Sequence, residues 1–138
     1  MDVLFDSNVI IDAVTARDLS NAGAKELYIK AAGKEINGFL VSKQITDIAY
    51  VLRKYVEKER VRDFVLFLCR AFNVLPFERE DIVNAALEDG RDFEDDVLMC
   101  VARANNIGCI VTNNIKDFKS KDIAVLRPDE LLDRLTVI

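Results

Sequence analysis

The stretch "GCIVTNN", residues Gly108–Asn114, is a short apolar run that stops abruptly at polar residues. Apolar side chains at successive positions, without alternation, mark a strand buried on both faces, the kind found in parallel sheets covered by helices. Outward from it, "VLF" at Val3–Phe5, "FLVS" at Phe39–Ser42, "NVLPF" at Asn73–Phe77 and "AVLR" at Ala124–Arg127 are further short runs of the same type. Helical spacing lies between them. Ala24, Leu27, Tyr28 and Ala31 mark a helix over about Asn21 to Ala32, preceded by a loop. Ile45, Ile48, Ala49, Leu52 and Tyr55 mark a second, and Val61, Phe64, Val65, Leu68 and Phe72 a third. "REDIVNAALE" reads as a short helix ending at Gly90, and Pro128 opens a terminal helix with Asp129 and Glu130 in its first turn. The alternation predicts an α/β domain of three layers, a mainly parallel central sheet flanked by helices, formed by residues 1–138 as one unit.

The 138 residues suffice to bury a core without covalent staples. The start "MDVLF" carries an acid where a signal peptide carries a base, and no apolar run reaches the length of a membrane span, so a cytoplasmic chain is expected. Cys69, Cys100 and Cys109 lie in apolar sequence without CxxC spacing and read as reduced core residues. There is no histidine, which removes imidazole acid–base chemistry and His-ligated zinc. With 19 basic and 24 acidic residues the net charge is −5, unusual for a protein whose affinity rests on a broad basic surface, but nucleic acid is not thereby excluded, since "RKYVEKERVR" and "KDFKSKD" are locally basic.

The acids are placed unevenly. In "RDFEDDVLMCVA", Arg91–Ala102, four carboxylates crowd one helix start: Asp92, Glu94, Asp95 and Asp96. Acids there cap the helix and complement its dipole, and Asp92 is the natural cap. Asp95 fits that account less well, because Leu98, Met99 and Ala102 follow at helical spacing and put it at the head of an apolar stripe. Asp47 heads a stripe in the same way. Asp6 directly follows "VLF", and Asn113 and Asn114 directly follow "CIVT". Ligands of open parallel sheets bind beyond the carboxyl ends of the strands, so these residues are expected to converge at one edge. Converging carboxylates repel unless a cation neutralises them, and a donor set of oxygens alone suits Mg²⁺ or Mn²⁺.

Four segments, "VLFDSNVIIDAV", "ITDIAYVLRK", "DFEDDVLMCVA" and "IVTNNIKDF", resemble in order the motifs of PIN-domain proteins, particularly small bacterial ones of VapC type. The resemblance implies a Mg²⁺- or Mn²⁺-dependent endoribonuclease, the toxin of a toxin–antitoxin pair, acting on RNA, bound by an antitoxin protein and forming a homodimer. Carried over, the catalytic acids are Asp6, Asp47 and Asp95, and the metal-binding set adds Asn114 and Asp117. Ser7, Asn8, Asp92 and Thr112 support them, with Ser7 where the family commonly has Thr. Asp47 stands where Glu is usual and reaches one methylene less far. Asp117 also reads as a surface acid beside Lys116 and Lys119, and Asp12 as a helix or loop acid. Arg53, Lys54, Lys116 and Lys119 are the expected RNA contacts. Two alternatives stand beside this reading: a PIN-like binding module without catalysis, and an aspartate-based phosphohydrolase. Asn8 occupies the position at which a haloacid-dehalogenase-type enzyme needs its second Asp.

Overall fold

A computed structural model describes residues 1–15, 20–88, 90–118, 120 and 122–136. Five strands, β1 (Asp2–Phe5), β2 (Asn37–Val41), β3 (Asn73–Leu75), β4 (Cys109–Val111) and β5 (Ala124–Leu126), form one sheet in the order β3-β2-β1-β4-β5. Every neighbouring pair is parallel. The helices are α1 (Ser7–Thr15), α2 (Ala22–Ala32), α3 (Ser42–Leu52), α4 (Lys58–Ala71), α5 (Arg79–Leu87), α6 (Phe93–Ala104) and α7 (Pro128–Thr136), with a 3₁₀ turn at Ile115–Asp117.

The strands are apolar throughout because both faces are covered. Val3, Phe5, Leu40, Cys109 and Val111 pack with residues of α1, α2, α3, α4 and α7. Leu4, Val41 and Ile110, the alternate positions, pack against α5 and α6. The chain lays β2 and β3 to one side of β1 and returns to lay β4 and β5 on the other. Asp6 and Thr112 therefore follow adjacent strands, at the point where strand order reverses. That is where an open parallel sheet leaves a crevice.

Three local expectations need correction. The segment after "VLFDSN", read as a loop as far as Asn21, begins with α1. Val9, Ile10, Ile11, Asp12 and Ala13 are all buried, so this helix has no polar face along that run to reveal a period. Ser42 belongs to the start of α3, and Pro76 and Phe77 lie beyond β3. Cys100 and Cys109 are buried, but Cys69 is exposed on α4.

Gly38 shows how tightly the layer beneath the site is packed. A Cβ there would lie 2.7 Å from two Phe72 ring carbons and 3.0 Å from the Ala31 Cβ. Phe72 in turn meets Phe5 edge to face, with ring centroids 5.2 Å apart, and Phe5 precedes Asp6. Gly38→Ala is expected to destabilise the fold by about 1–3 kcal/mol through overpacking. A urea midpoint equal to the parent's would show that the Phe72 ring yields freely.

Candidate metal centre at the strand ends

Asp6 is built into the sheet and into α1 at once. Its backbone N–H donates to the Val111 carbonyl at 2.9 Å, extending the β1–β4 ladder. Its carboxylate accepts from the Ser7 and Asn8 backbone N–H groups at the start of α1, and from the Thr112 hydroxyl at 2.7 Å. Burial pushes its pKa up, these three hydrogen bonds pull against that, and Asp92 adds repulsion.

Beneath it lies Gln44, a buried amide on α3. Its Nε2 donates to the Phe5 carbonyl at 2.8 Å and to the Ser7 Oγ at 3.1 Å, while its Oε1 accepts from the Val41 N–H at 2.7 Å. One side chain thus holds the residues on both sides of Asp6 and ties the end of β1 to that of β2.

The four acids at the start of α6 take four different positions. Asp92 is the N-cap, its Oδ1 accepting from Glu94 N–H at 2.9 Å and Asp95 N–H at 3.2 Å. Glu94 is exposed and lies 3.5 Å from the Lys43 ammonium. Asp96 turns back to accept from the Gly90 N–H. Asp95 enters the cleft, and its pKa is pushed up to about 7 by burial first and then by Asp6, Asp92, Asp117 and Glu94. Asp92→Ala is expected to cost about 1 kcal/mol relative to Asp92→Asn, since both remove the charge and only Asn keeps a capping oxygen. Equal unfolding free energies for the two variants would mean the cap contributes nothing.

From β4 the chain passes through Thr112 and Asn113 to Asn114. The Asn114 N–H donates to the Thr112 Oγ1 at 3.1 Å, and its side-chain amide donates to Asp117 on the 3₁₀ turn. Carboxylate oxygens of Asp92, Asp95 and Asp117 all lie within 4.8 Å of one another. Asn113 faces the other way. It hydrogen-bonds Asn21 and the buried Asp12, which fastens this loop to α1 and to the start of α2.

Asp6, Ser7, Asn8, Asp47, Asp92, Asp95, Asn114 and Asp117 line one cleft of about 390 Å³. Thr112 reaches it through Asp6. The trio of carboxylates whose oxygens meet, Asp92, Asp95 and Asp117, shares only Asp95 with the expected catalytic acids Asp6, Asp47 and Asp95. Asp92 belongs to it as well as capping its helix, whereas Asp47 is exposed and paired with Lys43 at 2.8 Å. Of the stripe that Asp47 heads, Tyr50 is exposed, whereas Val51 packs against the core and lines the same cleft and Leu52 is buried.

The expected RNA contacts are scattered. Arg53 lies beyond α3 with its guanidinium 3.8 Å above the Tyr50 ring, Lys54 is exposed beside it, and Lys116 is exposed on the turn that carries Asp117. Lys119 lies outside the described residues. Among the described residues the cation lining the cleft is Lys43, not singled out from sequence although its spacing to Asp47 is that of a helical ion pair. Burial works against the Lys43 charge, but Asp47 and then Glu94 outweigh it and hold the ammonium pKa above its ordinary value. Gln44 was also missed, and Glu94 is read from sequence only as one of the acids at a helix start. The contacts of Gln44 lie 39 and 37 residues away along the chain, and nothing local announces them.

Among the described residues no helix is long and apolar enough to cross a membrane. The PIN-domain family model matches residues 2–116. The chain is 28% identical over 137 residues to Ribonuclease VapC1 of Aquifex aeolicus (strain VF5), a match covering 96% of this chain and 94% of the relative. Among solved structures, a toxin-antitoxin complex from Klebsiella pneumoniae aligns with a TM-score of 0.67 at 19% identity, over 91% of this chain and 97% of that one. VapC20 of Mycobacterium tuberculosis, a sarcin-ricin loop cleaving toxin, aligns at 0.64 and 15% identity, over 83% and 91%. At those identities the likeness shows a shared fold. The match of the family model over most of the chain decides the family: this protein belongs to the PIN-domain family.

Proposed function

We propose that this chain is a metal-dependent endoribonuclease that hydrolyses RNA phosphodiesters and serves as the toxin of a toxin–antitoxin pair. One observation carries the reading: Asp6, Asp92, Asp95 and Asp117 converge at the ends of β1 and β4, close enough that their mutual repulsion helps lift Asp95 to about 7. An all-oxygen donor set of this charge fits Mg²⁺ or Mn²⁺ and leaves room for phosphate oxygens. Asp95, Asp117, Asp92 and Asp6 are the residues to hold the ion, with Asp47 and Asn114 at the edge of the same cleft. A divalent cation, when bound, offsets the carboxylate charge, polarises a phosphoryl oxygen and makes water acidic enough to act as nucleophile at neutral pH.

The chain's own residues keep that donor set in place. Thr112 and the α1 backbone N–H groups orient the Asp6 carboxylate, Gln44 fixes the backbone on both sides of it, and Asn114 orients Asp117. The relative from Aquifex aeolicus is a ribonuclease, and the Klebsiella pneumoniae structure is a toxin-antitoxin complex; both support the substrate class and an antitoxin partner here. We extend the reading to a cytoplasmic site of action and to self-association as a homodimer. The test is purified chain incubated with RNA and Mg²⁺ or Mn²⁺. RNA left intact with either ion overturns the proposal. Expression of the chain alone is expected to arrest growth, with rescue by the product of a neighbouring small gene.

A further inference from the structure

The cleft has a charge problem that a bound cation solves only in part. Six carboxylates line it, from Asp6, Asp47, Asp92, Glu94, Asp95 and Asp117, and Lys43 is the single cation among the described residues that do so. RNA brings a negative phosphate into the same space. Lys43 lines that cleft with its ammonium 2.8 Å from Asp47 on its own helix and 3.5 Å from Glu94 on α6, bridging the two helices.

Neither partner holds it firmly. The side chains of Lys43, Asp47 and Glu94 are 31%, 50% and 74% exposed, and ion pairs so open to water are weak and easily exchanged. A phosphate oxygen is as good an acceptor as either carboxylate, and turning the ammonium toward it requires only rotation about the lysine side chain. Lys43 also follows Ser42, the first residue of α3, so its Cα is anchored in the first turn of that helix.

We propose that Lys43 is a catalytic residue of this site, donating from its Nζ to a non-bridging oxygen of the phosphodiester being cleaved, with Asp47 and Glu94 as the positioning residues that park the ammonium before substrate arrives. The inference rests on the ribonuclease reading and deepens it. In the reaction one water is added across the P–O3′ bond: its oxygen joins phosphorus with one hydrogen, that bond breaks, and the other hydrogen ends on the 3′ oxygen. Lys43 transfers no proton. It stays an ammonium and offsets the charge that grows on the phosphoryl oxygens as water adds, the role in which a fixed donor has its largest effect.

The experiment compares the parent with Lys43→Met and Lys43→Arg on a single-stranded RNA in Mg²⁺. Lys43→Met is expected to lower kcat/KM on the order of 100-fold, and the slope of log Kd for RNA against log salt should shrink by about 0.7, the value of one phosphate contact on a single strand. Lys43→Arg, which keeps the charge and its donors, should recover most of the rate. The Mg²⁺ concentration giving half the thermal stabilisation should be no higher in Lys43→Met than in the parent, because the lysine repels the ion and does not bind it. A Lys43→Met enzyme as fast as the parent with an unchanged salt slope overturns the inference, and so does one that is slow only because its Mg²⁺ midpoint has risen. A parent chain that cuts no RNA overturns the ribonuclease reading and this inference with it. A parent that cuts while Lys43→Met matches it overturns this inference alone.

Discussion

Asp95→Asn is expected to abolish RNA cleavage and, in the absence of divalent cations, to make the protein more stable. The two effects share one cause. The Asp95 carboxyl has an ordinary pKa of 3.8 and is lifted to about 7 in the fold by burial and by Asp6, Asp92, Asp117 and Glu94. A raised carboxyl pKa means that the native state holds a proton the unfolded chain has already lost. Stability therefore falls as pH rises from about 4 to about 7 and stays low above that range. A melting curve of the parent in EDTA should accordingly move to lower temperature between pH 5 and pH 8. Asn has the same shape and no charge to lose, so Asp95→Asn should flatten that slope and melt above the parent at pH 8. Added Mg²⁺ should raise the parent and leave the variant nearly unmoved. Turnover should fall by more than the roughly 10–100-fold typical of groups that only orient a metal ligand. A variant that melts below the parent at pH 8 in EDTA, or one that still cuts RNA at the parental rate, would remove Asp95 from the centre of the site.

Cleavage is expected to stop in EDTA, to return with Mg²⁺ or Mn²⁺, and to leave a 5′-phosphate and a 3′-hydroxyl. The chain has no histidine, and among the described residues the cation lining the cleft, Lys43, is held as an ammonium between carboxylates, whereas the converging acids suit a divalent cation that activates water. Direct attack on phosphorus by water activated at such a cation is the expected route, and it yields those ends. Asp6→Asn should behave like EDTA. It removes the charge from the carboxylate that Thr112 and the start of α1 hold in place, while Gln44 continues to fix the backbone on both sides. End-group analysis is decisive: a 2′,3′-cyclic phosphate, or cleavage that survives EDTA, would mean that the acids serve some other chemistry.

Much of this molecule is written locally. The strands at Val3–Phe5, Phe39–Val41 and Cys109–Val111 announce themselves as unbroken apolar runs, because a strand covered on both faces loses free energy at any polar position. Most helices show a 3.6-residue period for the complementary reason: one face meets the sheet and the other meets water. α1 escapes that logic. With Val9 to Ala13 all buried it has no wet face along that run, and its sequence resembles a strand or an apolar loop as much as a helix. Cys69 fails in the opposite direction, an apolar neighbourhood in sequence that turns out to be the open side of α4.

The site divides along the same line. From sequence alone come the α/β class, the acids at strand ends and helix starts, and the crowding at Asp92 to Asp96, since capping, dipole and apolar spacing act over a few residues. Which of those acids meet is a different matter. Thr112 finds Asp6 across 106 residues and Gln44 finds Phe5 across 39, through a strand order in which β4 returns to the side of β1. That order brings the turn carrying Asp117, which follows β4, to Asp92 and Asp95 at the start of α6, whereas the pairing of Asp47 with Lys43 and of Asp96 with Gly90 stays within a few residues of the chain. Local sequence sets which side of each element is dry, because burial is felt residue by residue. The distance between carboxylates on different elements is set by how whole elements pack, and only the tertiary structure decides it.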